Sequence, residues 1–126
     1  MFVALTAATL GSPAANTGFD NATLTITVPD YVAAGLPSVA AVKATNTGTT
    51  TWNSGYSLSL LRSGRISLPK NTVQVSGSVA PGQSQTLGFA IICNGQGLGG
   101  FTAQMNGPNG DFGASAGVNM SCQPSN

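Results

Sequence analysis

The segment ATLTITV, Ala22 to Val28, sets Leu24, Ile26 and Val28 against Thr23, Thr25 and Thr27. A period of two puts one set of side chains on each face of a strand, and a helix cannot use it. The same period returns in Tyr56, Leu58 and Leu60, in Val73 and Val75, in Leu87, Phe89 and Ile91, and in Phe101, Ala103 and Met105. Breakers separate these runs: Pro29-Asp30, Asn46-Thr47-Gly48, Asn53-Ser54-Gly55, Ala80-Pro81-Gly82-Gln83 and Asn94-Gly95. Pro81-Gly82 is the central pair of a type II turn, which needs a glycine at its second central position. Short alternating strands with a turn signal about every eight to twelve residues predict an antiparallel β-sandwich.

The strands are placed at Ala22–Val28, about Ser38–Thr45, through Trp52 and on to Leu61, at Ile66–Leu68, at Thr72–Val79, at Ser84–Cys93, around Phe101–Met105 and at Ala114–Cys122. No segment carries a helical period. Glu is absent and Lys and Arg are few, while Ser, Thr, Asn and 17 Gly abound, which favours strands and tight turns over helices. A chain of 126 residues reads as one domain. It can hide about two-thirds of its unfolded surface, enough for one core. Residues 21–126 form the predicted sandwich. Residues 1–20 are read as an N-terminal arm bearing Phe2, Val3, Leu5 and Leu10, with no charge before Asp20. The run FVALTAATL resembles the apolar part of a signal peptide, but no Lys or Arg precedes it, so a retained arm is the reading adopted.

Charge excludes several functions. Lys43, Arg62, Arg65 and Lys70 stand against Asp20, Asp30 and Asp111, for a net charge of +1. Nucleic-acid binding needs a clustered basic face, and three neighbouring cations with so few aromatics do not make a phosphate groove. They read instead as a loop cluster that keeps a sheet edge soluble. No apolar run is long enough to span a membrane.

Without His or Glu, general acid–base chemistry would fall to three aspartates at separate turns. No catalytic, cofactor or metal site is expected, because a metal needs converging His, Cys or carboxylates. Ser67–Lys70 spells Ser-x-x-Lys, but Pro69 lies between strands where that motif needs a helix start. Gly95–Gly100 spells Gly-x-Gly-x-x-Gly, but no helix follows to hold a pyrophosphate, so it reads as a β-turn loop. Cys93 and Cys122 end two strands expected to run the same way, so both belong at one pole. A disulfide between them would close a loop of about 30 residues and contribute ~3.6 kcal/mol. Two reduced thiols packed as small hydrophobes remain the other reading.

The order of segments resembles the Ig-like four-tryptophan domain, the next-to-breast-cancer type, found in a eukaryotic autophagy receptor and in bacterial surface proteins. The resemblance rests on NTGTTTW at Asn46–Trp52, SGYSL at Ser54–Leu58, VAPGQSQTLGFAI at Val79–Ile91, GGFTAQM at Gly99–Met105 and GDFG at Gly110–Gly113. It covers about two-thirds of the chain. Only one of the four tryptophans is present, and Met105 stands where a large residue is usual. The resemblance implies an Ig-like seven-stranded sandwich and carries over no binding residue. It places Trp52 near the core-tryptophan position of Ig sandwiches. Trp52 is therefore expected to be a buried core residue and not a ligand platform, and Tyr31 and Tyr56 are expected to pack in the core or at its rim.

Two functions fit. The first is a non-enzymatic structural protein of the virion surface: a phage capsid decoration protein, or a tail or fibre accessory, docked on a protein shell or a neighbouring subunit within a homo-oligomer or larger assembly. The arm would add a strand to its partner. The alternative is a secreted, extracellular bacterial module, an adhesin or filament subunit, binding protein or, weakly, glycan through loops at one pole.

Overall fold

The computed structural model describes residues 18–124 and places nine strands among them. They are β1 (Ala22–Thr27), β2 (Tyr31–Ala33), β3 (Pro37–Asn46), β4 (Ser57–Gly64), β5 (Ile66–Ser67), β6 (Thr72–Gln74), β7 (Ser84–Cys93), β8 (Gly97–Gly107) and β9 (Gly110–Gln123). They make two sheets. The four-stranded sheet has the order β1-β3-β7-β5, and the five-stranded sheet has the order β2-β9-β8-β4-β6. All pairings are antiparallel except β2 with β9, where Tyr31 lies opposite Ser121 and Ala33 opposite Gln123.

The two-residue period does what it predicts. On β3, Ala40, Val42 and Ala44 point into the sandwich while Val39 and Lys43 point out. On β7, Leu87, Phe89, Ile91 and Cys93 are buried and alternate with exposed or half-buried neighbours. From the opposite sheet come Leu58 and Leu60 of β4 and Phe101, Ala103 and Met105 of β8. Phe89 and Phe101 meet edge to face across the gap, with ring centroids 5.2 Å apart. Full burial of side chains this size stabilises by roughly 1.5–3 kcal/mol each before ordering costs. Met105, where the resemblance expects a larger residue, is fully buried, so its flexible thioether side chain occupies a core position.

Several elements differ from the sequence reading. Trp52 does not open the third strand. It forms an isolated bridge with Val79, and β4 begins only at Ser57. The cause is the Asn53 turn: Gly55 N–H donates to Asn53 Oδ1 (2.9 Å) and Tyr56 N–H to the Asn53 carbonyl (2.9 Å). The Gly97–Gly100 part of the expected loop is strand, because it is laddered to β4 on one side and β9 on the other. Glycine is required at position 100, where a Cβ would collide with the Val118 carbonyl oxygen. The strand expected over Thr72–Val79 is only three residues long, and Tyr31–Ala33 pairs where none was expected. The Ala80–Gln83 turn is as expected: Gln83 N–H reaches the Ala80 carbonyl (2.9 Å) and Gly82 has φ +85°.

Register slips once. On β9, Phe112 faces Met105 and Ala116 faces Ala103, so Gly113–Ser115 form a bulge. Gly113 has φ +73°, and its carbonyl accepts from Gln104 Nε2 (2.9 Å). A bulge bends a strand and re-aims its side chains. Here Phe112 reaches the rings of Trp52 and Tyr56, and β1 approaches so closely that a Cβ on Gly113 would meet Ala22 backbone at 2.9 Å.

Candidate interaction site

The two ends of the sandwich are built differently. At the first pole, Asn46 closes β3. It is the one buried polar side chain among the described residues, and each polar atom of its side chain is satisfied. Nδ2 donates to the carbonyls of Thr50 (2.7 Å) and Val79 (3.0 Å), and Oδ1 accepts from Gly48 N–H (3.0 Å). Its backbone joins the Pro-Gly turn: Asn46 N–H donates to Gln83 and Gly82 N–H to Asn46, each at 2.8 Å. One residue thus ties the β3–β4 connection to the turn before β7. This is the physical content of the Asn-Thr-Gly signature, which the sequence reading took as a turn alone.

Beneath that connection lies an aromatic cluster. Trp52 is fully buried and stacks on Tyr56 (centroids 6.3 Å apart), and Phe112 tilts against it (5.9 Å). The Trp52 Nε1 hydrogen has no partner among the described residues. Tyr56 is held by Asp20, whose Oδ1 accepts from Tyr56 OH (2.9 Å) and from the Thr50 hydroxyl. Burial pushes the Tyr56 phenol above its ordinary value. The Thr50 hydroxyl opposes that shift, and the Asp20 hydrogen bond and charge add to it.

The same contacts fix where the chain enters. Phe19 N–H donates to Thr49 Oγ1 (2.8 Å), and Thr49 N–H to the Phe19 carbonyl (2.9 Å). Gly18–Asp20, counted with the arm in the sequence reading, are therefore tied to the domain. The arm residues Phe2, Val3, Leu5 and Leu10 lie outside the described residues. The Phe19 side chain is 58% exposed. Asp111 shares this pole, one residue before Phe112, and accepts from Asn106 Nδ2 (2.8 Å).

At the second pole, Cys93 of one sheet and Cys122 of the other are joined by a disulfide, with Cα atoms 5.8 Å apart. Around it the β2–β3 turn is pinned by Gly35 N–H to the Cys93 carbonyl (2.9 Å) and Ala34 N–H to the Gln123 carbonyl (2.8 Å). Leu36 in that turn is 57% exposed. Arg65 sits across Cys93 from it: Asn94 N–H donates to the Arg65 carbonyl (2.8 Å), and Arg65 N–H to the Leu98 carbonyl (3.1 Å). Leu98 is 74% exposed, and Tyr31, at 61%, lies beyond Ser121 in the same row of the sheet. Tyr31 is thus exposed and not packed at the core rim, because β2 is an edge strand and presents that face to solvent. Sequence reasoning placed Cys93 and Cys122 together here but missed the exposed apolar residues around them. Isolated exposed apolar residues at turns leave no periodic signal.

Between the poles, the outer face of the five-stranded sheet has two shallow hollows, of about 290 and 350 Å³, on either side of Leu61. No three His, Cys, Asp or Glu side chains converge as a metal set among the described residues. No helix among them is long and apolar enough to cross a membrane.

Two stacked sheets, a switch of β5 into the β1-β3-β7 sheet and an edge strand parallel to β9 define an Ig-like β-sandwich. Solved structures share it. The solution structure of the CARDB domain of PF1109 from Pyrococcus furiosus aligns with a TM-score of 0.65 at 20% identity, over 85% of this chain and 98% of that one. The Escherichia coli alpha-2-macroglobulin fragment from domain MG7 to the C-terminus aligns with a TM-score of 0.64 at 20% identity, over 83% of this chain and 17% of that one. The native alpha-2-macroglobulin of Escherichia coli aligns at 0.61 and 19% identity, over 93% of this chain and 7% of its own length. At these identities the likeness is one of fold. No protein-family model matches the chain. No curated protein matches it.

Proposed function

We propose that this chain is a non-enzymatic structural module that docks on a protein partner within a larger assembly. In its most specific form it is a virion accessory, a capsid decoration protein or a tail or fibre component. The observation that carries the reading is the pinned entrance at Gly18–Asp20. Asp20 and Phe19 are held by Thr49, Thr50 and Tyr56, so whatever precedes Gly18 leaves from a fixed point on the first pole. The preceding segment carries Phe2, Val3, Leu5 and Leu10 and no charge. Burying those four side chains on a partner would contribute on the order of 6–10 kcal/mol before ordering costs, and fixing the backbone offsets much of it. Strand pairing on the partner supplies the remainder. Deleting residues 2–15 should leave the melting curve unchanged and abolish co-sedimentation with the particle. Normal assembly of the truncated chain would sink the reading.

The Cys93–Cys122 bond supports a second reading, an extracellular bacterial module, because disulfides persist in oxidising compartments. Exposed Tyr31 would then be the first contact to test for a glycan. Thiol titration of protein from its native source separates the readings. Two free thiols favour a cytosol-matured virion component, and none favours the extracellular module.

A further inference from the structure

We propose that the open edge of β7 is a strand-acceptor site and that its occupant is the segment Phe2–Leu10 of a second copy of this chain. This rests on the reading of the chain as an assembly module and names where the arm docks. β7 has ten residues, and on the side away from β3 only Ile92 and Cys93 are paired, by β5. The β3–β7 register is unbroken from Ser84 to Ile92. At its second-pole end the Cys93 carbonyl accepts from Gly35 N–H on the β3 side, while Asn94 N–H donates to the Arg65 carbonyl on the β5 side. Successive residues of a strand turn their backbone groups to opposite sides. Thr86, Gly88 and Ala90 therefore turn their N–H and C=O groups away from β3, where no strand among the described residues pairs with them. All three residues are exposed. Beside them lies a hollow of about 370 Å³, lined by Pro69, Lys70, Val73, Gly88, Phe89 and Ala90. Phe89 and the half-buried Val73 give it apolar walls.

An unpaired edge beside an apolar hollow accepts an extended chain with apolar side chains at alternate positions. Residues 2–10 read FVALTAATL. Val3, Leu5 and Ala7 would face the hollow, and Ala4, Thr6 and Ala8 the solvent. The segment has no proline to interrupt a ladder and no charge to meet Lys70 at the mouth. Gly11–Thr17 then supply at most about 25 Å of chain before the pinned Gly18. The arm departs beside β1, at the opposite edge of the sheet from the open side of β7. The β6–β7 connection stands across its route to its own edge. There Gln85 clasps Ser76, with Nε2 donating to the Ser76 carbonyl (2.7 Å) and Oε1 accepting from Ser76 N–H (3.0 Å). A second copy approaches from the open flank and meets no such barrier. Arm and edge lie on different parts of the molecule, so the exchange closes as a reciprocal pair or runs on as a ring or filament.

The test is sedimentation velocity of the full chain from micromolar to millimolar concentration, where self-association is expected. Leu5→Asp spoils the donor. Ala90→Pro spoils the acceptor, and because Ala90 N–H points away from β3 it removes no existing ladder bond. Each should raise the dissociation constant at least tenfold while keeping the parent melting curve in dilute solution. An equimolar mixture of the two retains one sound edge and one sound arm, so it should form a one-to-one dimer and nothing larger. Amide exchange in the parent chain reads the same contact without any substitution: Gly88 and Ala90 N–H should slow at least tenfold in the associated protein. Association indifferent to either substitution, a mixture that stays monomeric, or exchange at Gly88 and Ala90 that ignores concentration overturns the proposal. So does a monomeric parent whose Gly88 and Ala90 amides are protected and are freed by Leu5→Asp, which would put the arm on its own edge. A chain that stays monomeric yet needs residues 2–15 to co-sediment with a particle overturns this inference and leaves the assembly reading standing.

Discussion

Replacing Asn46 tests whether one buried amide holds the first pole. Asn46→Ala removes three hydrogen bonds. The consequences are unequal. Gly48 N–H is buried and loses its side-chain acceptor, at ~1–3 kcal/mol. The Val79 carbonyl keeps its bond from Trp52 N–H (2.9 Å), and the Thr50 site is only part-buried, so each loses nearer ~0.5–1 kcal/mol. The sum is ~3 kcal/mol, which at a urea slope of ~1.5 kcal/mol/M lowers the midpoint by about 2 M. Asn46→Asp is the sharper probe. It keeps the acceptor for Gly48 but aims a carboxylate oxygen at two carbonyls. Repulsion and burial raise that carboxyl's pKa in the folded state. The proton-linked stability is fully present below the unfolded value of about 3.9 and is lost as pH rises through the folded value. Asn46→Asp should therefore fall below Asn46→Ala at pH 7 and recover on acidification. Urea melts of both variants and the parent at several pH values decide it. An Asp variant as stable as the parent at neutral pH would refute the clamp.

Three further outcomes are expected. Trp52→Ala should lose ~3–5 kcal/mol in urea melts, as expected for emptying a fully buried aromatic site, and a loss under ~1 kcal/mol would contradict its core role. Replacing Cys93 and Cys122 together by Ala should lower stability by ~3.6 kcal/mol for the loop spanned by their separation of 29 residues, and an unchanged melt would refute the estimate. Because the folded-state pKa of Tyr56 is raised, its proton-linked stability is complete below the unfolded value of about 10 and is lost as pH rises above it. Tyr56→Phe should flatten that alkaline limb in pH-resolved melts, and an unaltered limb would assign it to other groups.

The sandwich was legible because burial on one face forces a period of two, and Leu24-Ile26, Leu87-Phe89-Ile91 and Phe101-Ala103-Met105 all obey it. The Pro81-Gly82 turn was legible because its backbone needs a glycine. What the sequence hid depends on distant partners. Trp52 sits beside strand-like residues, yet the Asn53 turn and Val79, 27 positions away, make it a bridge. Gly97–Gly100 read as a loop because the pairing of two neighbouring strands, not side-chain preference, makes it a strand. Asn46 looked like turn punctuation, since nothing local reports that its amide reaches Val79. At the second pole Cys93 and Cys122 were legible from strand direction, but exposed Tyr31, Leu36 and Leu98 were not, because isolated apolar residues at turns and edges carry no period.

The disulfide joins the two sheets at one end only, and at the other end their closure depends on Asn46, the aromatic rings and the Asp20 contacts. The chain itself also crosses between the sheets at that end, in the β3–β4 and β6–β7 connections, but those ties are loops of nine or ten residues where the disulfide is a direct cross-link between strand ends. Local opening should therefore begin at the first pole, where amide exchange should be fastest and a protease should find its first foothold. The stretch before Gly18 is attached there, so any pull on it falls first on the looser end of the sandwich.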